Sequence, residues 1–61
     1  MRYCYAKKLH NGDEVTVKET GEVCTVISTR EFKDAGDKPA VQVYVQTRSE
    51  GYVGLHHTEV E

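Results

Sequence analysis

Valine returns at every second position in Val15-Thr16-Val17 and again in Val41-Gln42-Val43-Tyr44-Val45. A period of two sends successive side chains to opposite faces of an extended chain, so these runs predict half-buried strands rather than helices. Four strands follow from the pattern, roughly over Glu14–Glu19, Glu22–Thr29, Ala40–Arg48 and Tyr52–His56. Val15 and Val17 share one face, as do Val41, Val43 and Val45, and Val53 and Leu55. The second strand is apolar both ways, with Cys24 and Val26 on one side and Val23 and Ile27 on the other. A long strand of that kind bends sharply and serves two sheets, as corner strands of small barrels do.

The chain has no Trp and a single Phe in 61 residues, so its core must be built from valine. A chain this short forms one domain and buries only about 60% of its unfolded surface. Such a small core favours association, and the expected state is a monomer or a weak homodimer. Hydrophobic content of 38% with 30% charge, in alternating order, excludes a disordered chain.

Turn chemistry and strand parity together set the expected registers, because a one-residue slip sends every side chain to the wrong face. A three-residue loop, Ser49-Glu50-Gly51, opposes Val45 to Leu55 and Thr47 to Val53 and places Gly51 in the left-handed region. A four-residue loop, Glu19-Thr20-Gly21-Glu22, opposes Val17 to Cys24 and Val15 to Val26. The stretch Glu31–Pro39 holds Gly36 and Pro39 and predicts an exposed loop. No segment predicts an α-helix. Thr58 begins a single 3₁₀ turn, after which Val60 closes the core. Residues 2–6, Arg2-Tyr3-Cys4-Tyr5-Ala6, alternate and predict a short extra strand. The chain therefore divides into an N-terminal arm or strand, 1–10, and an all-β barrel, 11–61.

The order Gly12-Asp13-x-Val15-x-Val17, Thr25-Val26, Val41-x-Val43, Val53-x-Leu55 and Glu59-Val60-Glu61 resembles the KOW domains of ribosomal proteins and transcription-elongation factors. The resemblance implies a small SH3-like barrel of KOW/Tudor type. It would have about five short antiparallel strands, a 3₁₀ turn near the C-terminus, and hairpin loops that touch RNA, DNA or protein. Two departures separate fold from ligand. The family's long, glycine-rich first loop is reduced here to Glu19-Thr20-Gly21-Glu22, and Cys24 stands where the family commonly has Gly. Two glutamates at that tip repel phosphate, so the fold transfers and the nucleic-acid ligand does not.

Charge points the same way. Arg2, Lys7 and Lys8 fall in residues 1–12 with no acid, whereas ten acidic side chains meet five basic ones in the remainder. The pI of 5.9 is far below the value above about 9 typical of nucleic-acid-binding domains. No segment approaches the roughly 20 apolar residues of a membrane span, and residues at the start lack a signal-peptide apolar region. The expected location is the cytoplasm, with Cys4 and Cys24 reduced. His10, His56, His57 and the two cysteines lack paired metal-ligand spacing, and adjacent His56 and His57 on a strand point apart, so neither a metal nor a cofactor is predicted. Cys24 lies on the inward face as an inert thiol, and a barrel of this size lacks a water-excluding cleft; no enzymatic activity is predicted.

What remains is a surface. The chosen register opposes Arg48 to Tyr52, Gln46 to Gly54 and Tyr44 to His56, all six on one outward face. Two aromatics, an arginine and amide groups around a bare glycine form a recognition patch of the composition favoured at interfaces. The expected function is that of a non-enzymatic adaptor module recognising a protein or peptide there. The alternatives are a nucleic-acid- or ribosome-associated module using Arg2, Lys7 and Lys8, and a structural subunit joined through a strand edge. Tyr3 and Tyr5, on one face of the extra strand, are expected to cover the barrel's open edge.

Overall fold

In the computed structural model, which describes residues 1–61, the strands Glu14–Thr16 (β1), Val23–Lys33 (β2), Pro39–Thr47 (β3) and Gly51–His56 (β4) form one antiparallel sheet in chain order. A short helix, Tyr3–Ala6 (α1), precedes them and a 3₁₀ turn, His57–Glu59, follows. The valine parity holds. Val15, Cys24, Val26, Val41, Val43, Val45 and Val60 are buried together with Ala6, and Val17, Val53 and Leu55 pack on them half-buried. No helix is long and apolar enough to cross a membrane.

The doubly apolar strand is interrupted by a register irregularity, and it serves a single sheet rather than the two expected of a barrel corner. A β-bulge between Val26 and Ser28 leaves Ile27 without an opposite residue on β3. An inserted residue inverts the alternation and adds local twist. Before it, Val26 opposes Val45; after it, Thr29 opposes Val43 and Glu31 opposes Val41, so odd positions turn toward the core side.

Both hairpins differ from the predicted register by two residues. In the first, Val15 opposes Cys24, and Val17 instead bridges Val60. The turn is longer than four residues. The Gly21 N–H donates to the Val17 carbonyl at 2.7 Å, with Gly21 at φ 74°, and the Val17 N–H donates to the Glu22 carbonyl at 2.8 Å. In the second, Val45 opposes Val53 and Val43 opposes Leu55 around the loop Arg48-Ser49-Glu50. The Thr47 hydroxyl accepts from the Glu50 N–H at 3.0 Å and donates to the Gly51 carbonyl at 3.1 Å, while Gly51 takes φ 73°. A two-residue slip keeps every side chain on its face, which is why the inward set survives it.

Two predicted elements are replaced. The loop expected over 31–39 shrinks, because β2 and β3 extend to Lys33 and Pro39. The Asp34 carboxylate makes this short turn by accepting from the N–H groups of Lys38 (3.1 Å) and Gly36 (2.9 Å), which also hold its pKa below the ordinary carboxylate value. The expected fifth strand over residues 2–6 is α1, leaving four strands. Tyr3, Ala6 and Leu9 recur every three residues and turn to the core, whereas Tyr5 is 61% exposed, so the two tyrosines do not share a face. The Met1 amino group donates to the Val60 carbonyl and the Tyr3 hydroxyl to Glu31, fastening α1 over the sheet's inner face.

The predicted 3₁₀ turn is present, and beyond it the chain returns to β1. The Glu61 N–H donates to the Thr16 carbonyl at 2.8 Å and the Lys18 N–H to the Glu59 carbonyl at 2.9 Å. His57, at the start of this turn, is the one buried polar side chain. Its Nδ1 accepts the Val41 N–H at 3.2 Å, and its ring meets Tyr3 edge-on at 6.2 Å. Burial, then the neighbouring His56 and the N-terminal amine, push its pKa below the ordinary imidazole value.

Two outcomes follow. Val43→Ala should remove about 2–3 kcal/mol from a total stability on the order of 3–9 kcal/mol, whereas Val23→Ala, at a position 59% exposed, should change it little; urea denaturation measures both. Folded His57 resists a proton that the unfolded chain accepts, so its contribution to stability is full above about pH 6.5 and is lost as the pH falls below that value. His57→Gln, which keeps an acceptor for Val41, should flatten the fall in urea midpoint between pH 7.5 and 5.5.

Candidate functional site

Opposing residues in a sheet share a face, so the pairings define the surface turned away from the core. Across the strands, Glu14, Thr25, Gln46 and Tyr52 form one row. Ser28, Tyr44 and Gly54 form the next, then Arg30, Gln42 and His56, and finally Phe32 beside Ala40. Tyr44, Gln46, Tyr52, Gly54 and His56 thus lie on one outward face. Their partners differ from the predicted ones: Tyr44 opposes Gly54, Gln46 opposes Tyr52, and His56 opposes Gln42.

Arg48 leaves the strand for the turn, a consequence of the two-residue slip. Its backbone N–H reaches the Glu22 carboxylate at 3.4 Å, and it lines a groove of about 470 Å³ with Glu14, Glu22, Val23, Thr25 and Gln46. Three residues of the face were not singled out from sequence: Arg30, Phe32 and Gln42. The first two fell beyond the predicted end of β2, and only the bulge turns them outward. Gln42 was legible, since it alternates with Val41 and Val43 on the same strand as Tyr44.

The centre of the face is built around Gly54. A Cβ there would stand 2.5 Å from Nε2 of Gln42 and 3.1 Å from Cε1 of Tyr44, so both side chains lie across the bare backbone. The Tyr44 hydroxyl donates to Oε1 of Gln42 at 3.1 Å, fixing the amide and the ring in one shelf. Tyr52, one row away, is 72% exposed and makes no side-chain hydrogen bond.

His56 closes the other end. Its ring meets Phe32 edge-on at 5.9 Å and stacks on His57 at 4.4 Å with 30° between planes. The two histidines do not point apart as predicted, because extended geometry ends at His56 and His57 is the first residue of the 3₁₀ turn. Nδ1 of His56 accepts the Thr58 N–H at 3.2 Å, which leaves Nε2 as the ring's donor. No three His, Cys, Asp or Glu side chains converge as a metal site requires.

The basic residues Arg2, Lys7 and Lys8 are exposed, but α1 packs through Ala6 on the inner side, so they do not extend the aromatic face. The Lys7 ammonium lies 5.4 Å from the Tyr3 ring centre. Cys24 is buried in the core, and burial, then Glu22, raises its thiol pKa; Cys4 is exposed on α1. Comparison with protein-family models, curated proteins and solved structures yields no match to this chain.

Proposed function

We propose that this chain is a non-enzymatic, cytoplasmic binding module of SH3-like barrel type that docks a protein or peptide on its outer β3–β4 face. The barrel reading is supported by the bulge at Ile27 and by the return of Val60 and Glu61 to β1, which bring the two ends of the sheet toward each other. The observation that carries the functional reading is Gly54. Glycine inside a strand costs about 0.5–1 kcal/mol relative to alanine and leaves nothing to pack. Its φ is unremarkable, so the backbone does not require it; the flat shelf of Gln42 and Tyr44 does. A bare glycine under a hydrogen-bonded ring and amide, beside a tyrosine that the core does not use, is what a shallow recognition surface needs.

Nucleic acid fits this face less well. Glu14 lies in the same row as Tyr52 and Glu22 beside Arg48, so phosphate meets carboxylate where a base would stack.

Peptides selected from a random displayed library should bind the wild-type chain and lose about tenfold or more in affinity against the Tyr44→Ala/Tyr52→Ala double variant, with the fold retained by circular dichroism. Gly54→Ala should weaken the same peptides, since the added Cβ meets the Gln42 amide at 2.5 Å and the Tyr44 ring at 3.1 Å and must displace the shelf they form. Equal binding by the double variant would overturn the reading. So would salt-dependent shifts at Arg2, Lys7, Lys8, Tyr44 and Arg48 on adding mixed oligonucleotides, which would favour a nucleic-acid ligand.

A further inference from the structure

The outer face carries charge of opposite sign at its two ends, and we propose that it selects an extended peptide bearing an acidic and a basic residue four positions apart. This rests on the docking role of that face. At one end Arg30 is exposed and has no acidic partner; the single ion pair in the chain joins Lys33 to Asp37. Gln42 and His56 stand in the same row, and the free donor of His56 is Nε2. Arg30, the Gln42 amide and the His56 ring N–H outnumber the one carboxylate near this end, Asp34, whose oxygen already accepts the Gly36 and Lys38 N–H groups; a carboxylate is the group that satisfies an arginine fork together with a ring N–H.

At the other end Glu14 and Glu22 flank the 470 Å³ groove. Glu14 has no counter-ion, and the Glu22 carboxylate, which receives the Arg48 backbone N–H, has none either. Arg48 shares the groove without pairing to either carboxylate, which leaves the groove one negative charge in excess. Val23, 59% exposed, lines its wall, and Tyr52 stands at the end of the same row. A long basic side chain suits this arrangement: its aliphatic stem covers Val23 and its head lies between the carboxylates. A purely anionic ligand such as nucleic acid satisfies only the Arg30 end.

The spacing comes from β3. Gln42 and Gln46 mark the two charged rows, and four residues of antiparallel strand span about 13–14 Å. An extended or polyproline peptide advances about 3.1–3.4 Å per residue, so four positions cover the same distance. A helix, at 1.5 Å per residue, would need about nine. Between the charges lies the neutral Tyr44–Gly54 shelf, which suits a proline or another compact apolar residue. The motif is acid-x-Pro-x-base or its reverse, since a face that uses no backbone pairing accepts either chain direction.

The test is an NMR titration with nine-residue peptides, Gly/Ser-flanked, carrying Glu-Ala-Pro-Ala-Arg, Arg-Ala-Pro-Ala-Glu, Gln-Ala-Pro-Ala-Gln, Glu-Ala-Pro-Ala-Glu or Arg-Ala-Pro-Ala-Arg. At low salt at least one mixed-charge peptide should bind about five- to tenfold more tightly than the neutral one, and 0.5 M salt should erase most of that gap. Charge reversal gives the decisive arm. The Arg30→Glu variant should come to prefer the doubly basic peptide, and Glu14→Lys/Glu22→Lys the doubly acidic one. A misfolded protein cannot gain a new preference, so these variants remain informative if either loses stability. Neutral and charged peptides binding alike, with shifts at Tyr44 and Tyr52, would overturn the charge rule and leave the docking face standing. No shift at Tyr44 or Tyr52 with any peptide would overturn both.

Discussion

The extra residue at Ile27 is the constraint from which the two faces of this small protein follow. A regular strand from Val23 to Lys33 would keep even-numbered side chains inward throughout, driving Arg30 and Phe32 into a core with no partner for a guanidinium. The bulge inverts the alternation after Val26. Cys24 and Val26 contribute to the core, and Arg30 and Phe32 then join Tyr44, Gln42 and His56 outside. One strand thereby serves packing in its first half and surface chemistry in its second.

A core made of valine is thin, and both chain ends are needed to finish it. Val60 is as fully buried as the central valines, held there by the bridge to Val17 and the Glu61–Thr16 hydrogen bonds. Ala6 reaches the same core from α1, and Met1 joins the two ends by donating to Val60. The helix is only four residues long and has no side-chain cap, so local propensity cannot sustain it; its packing does. His57 sits between these parts and accepts the Val41 N–H in exchange for staying neutral, which makes it the point where acidity acts on the closure.

Much of this was legible in the residues, and the misses share a physical cause. Parity is a local property, so the inward set Val15, Val41, Val43 and Val45 could be read without knowing any partner, whereas Cys24 and Val26 on the doubly apolar strand needed the pairing with Val15 and Val17 to be chosen over Val23 and Ile27. Register is a relation between strands, and a two-residue slip leaves parity untouched; nothing in the alternation separates Val45 opposite Leu55 from Val45 opposite Val53. Turn chemistry decided it, through Thr47 acting as acceptor and donor within its own loop. Over Arg2–Ala6 the pattern was too short to distinguish periods two and three. The recurrence of Tyr3, Ala6 and Leu9, which marks the helix, runs past the segment that alternates. Phe32 and Arg30 were hidden because a strand that changes face carries no single period.

The outer face is separable from the fold in a way that bears on its proposed role. Tyr52, Gln46, Arg48 and Glu14 contribute little buried area, so the sheet would form with many other residues there. Gly54 is different: it weakens the strand and is compensated only by what lies over it. His56 is different again, because stacking on His57 ties the donor end of the face to a buried ring whose partner is the backbone of β3. A ligand held at Arg30 and His56 would therefore bear on the same contacts that fix the 3₁₀ turn, and through them on Val60 and α1. Were the outer face occupied in this way, binding and closure of the core would be coupled through His56, by its stacking on His57 and its hydrogen bonds to Thr58, and any such coupling is reciprocal.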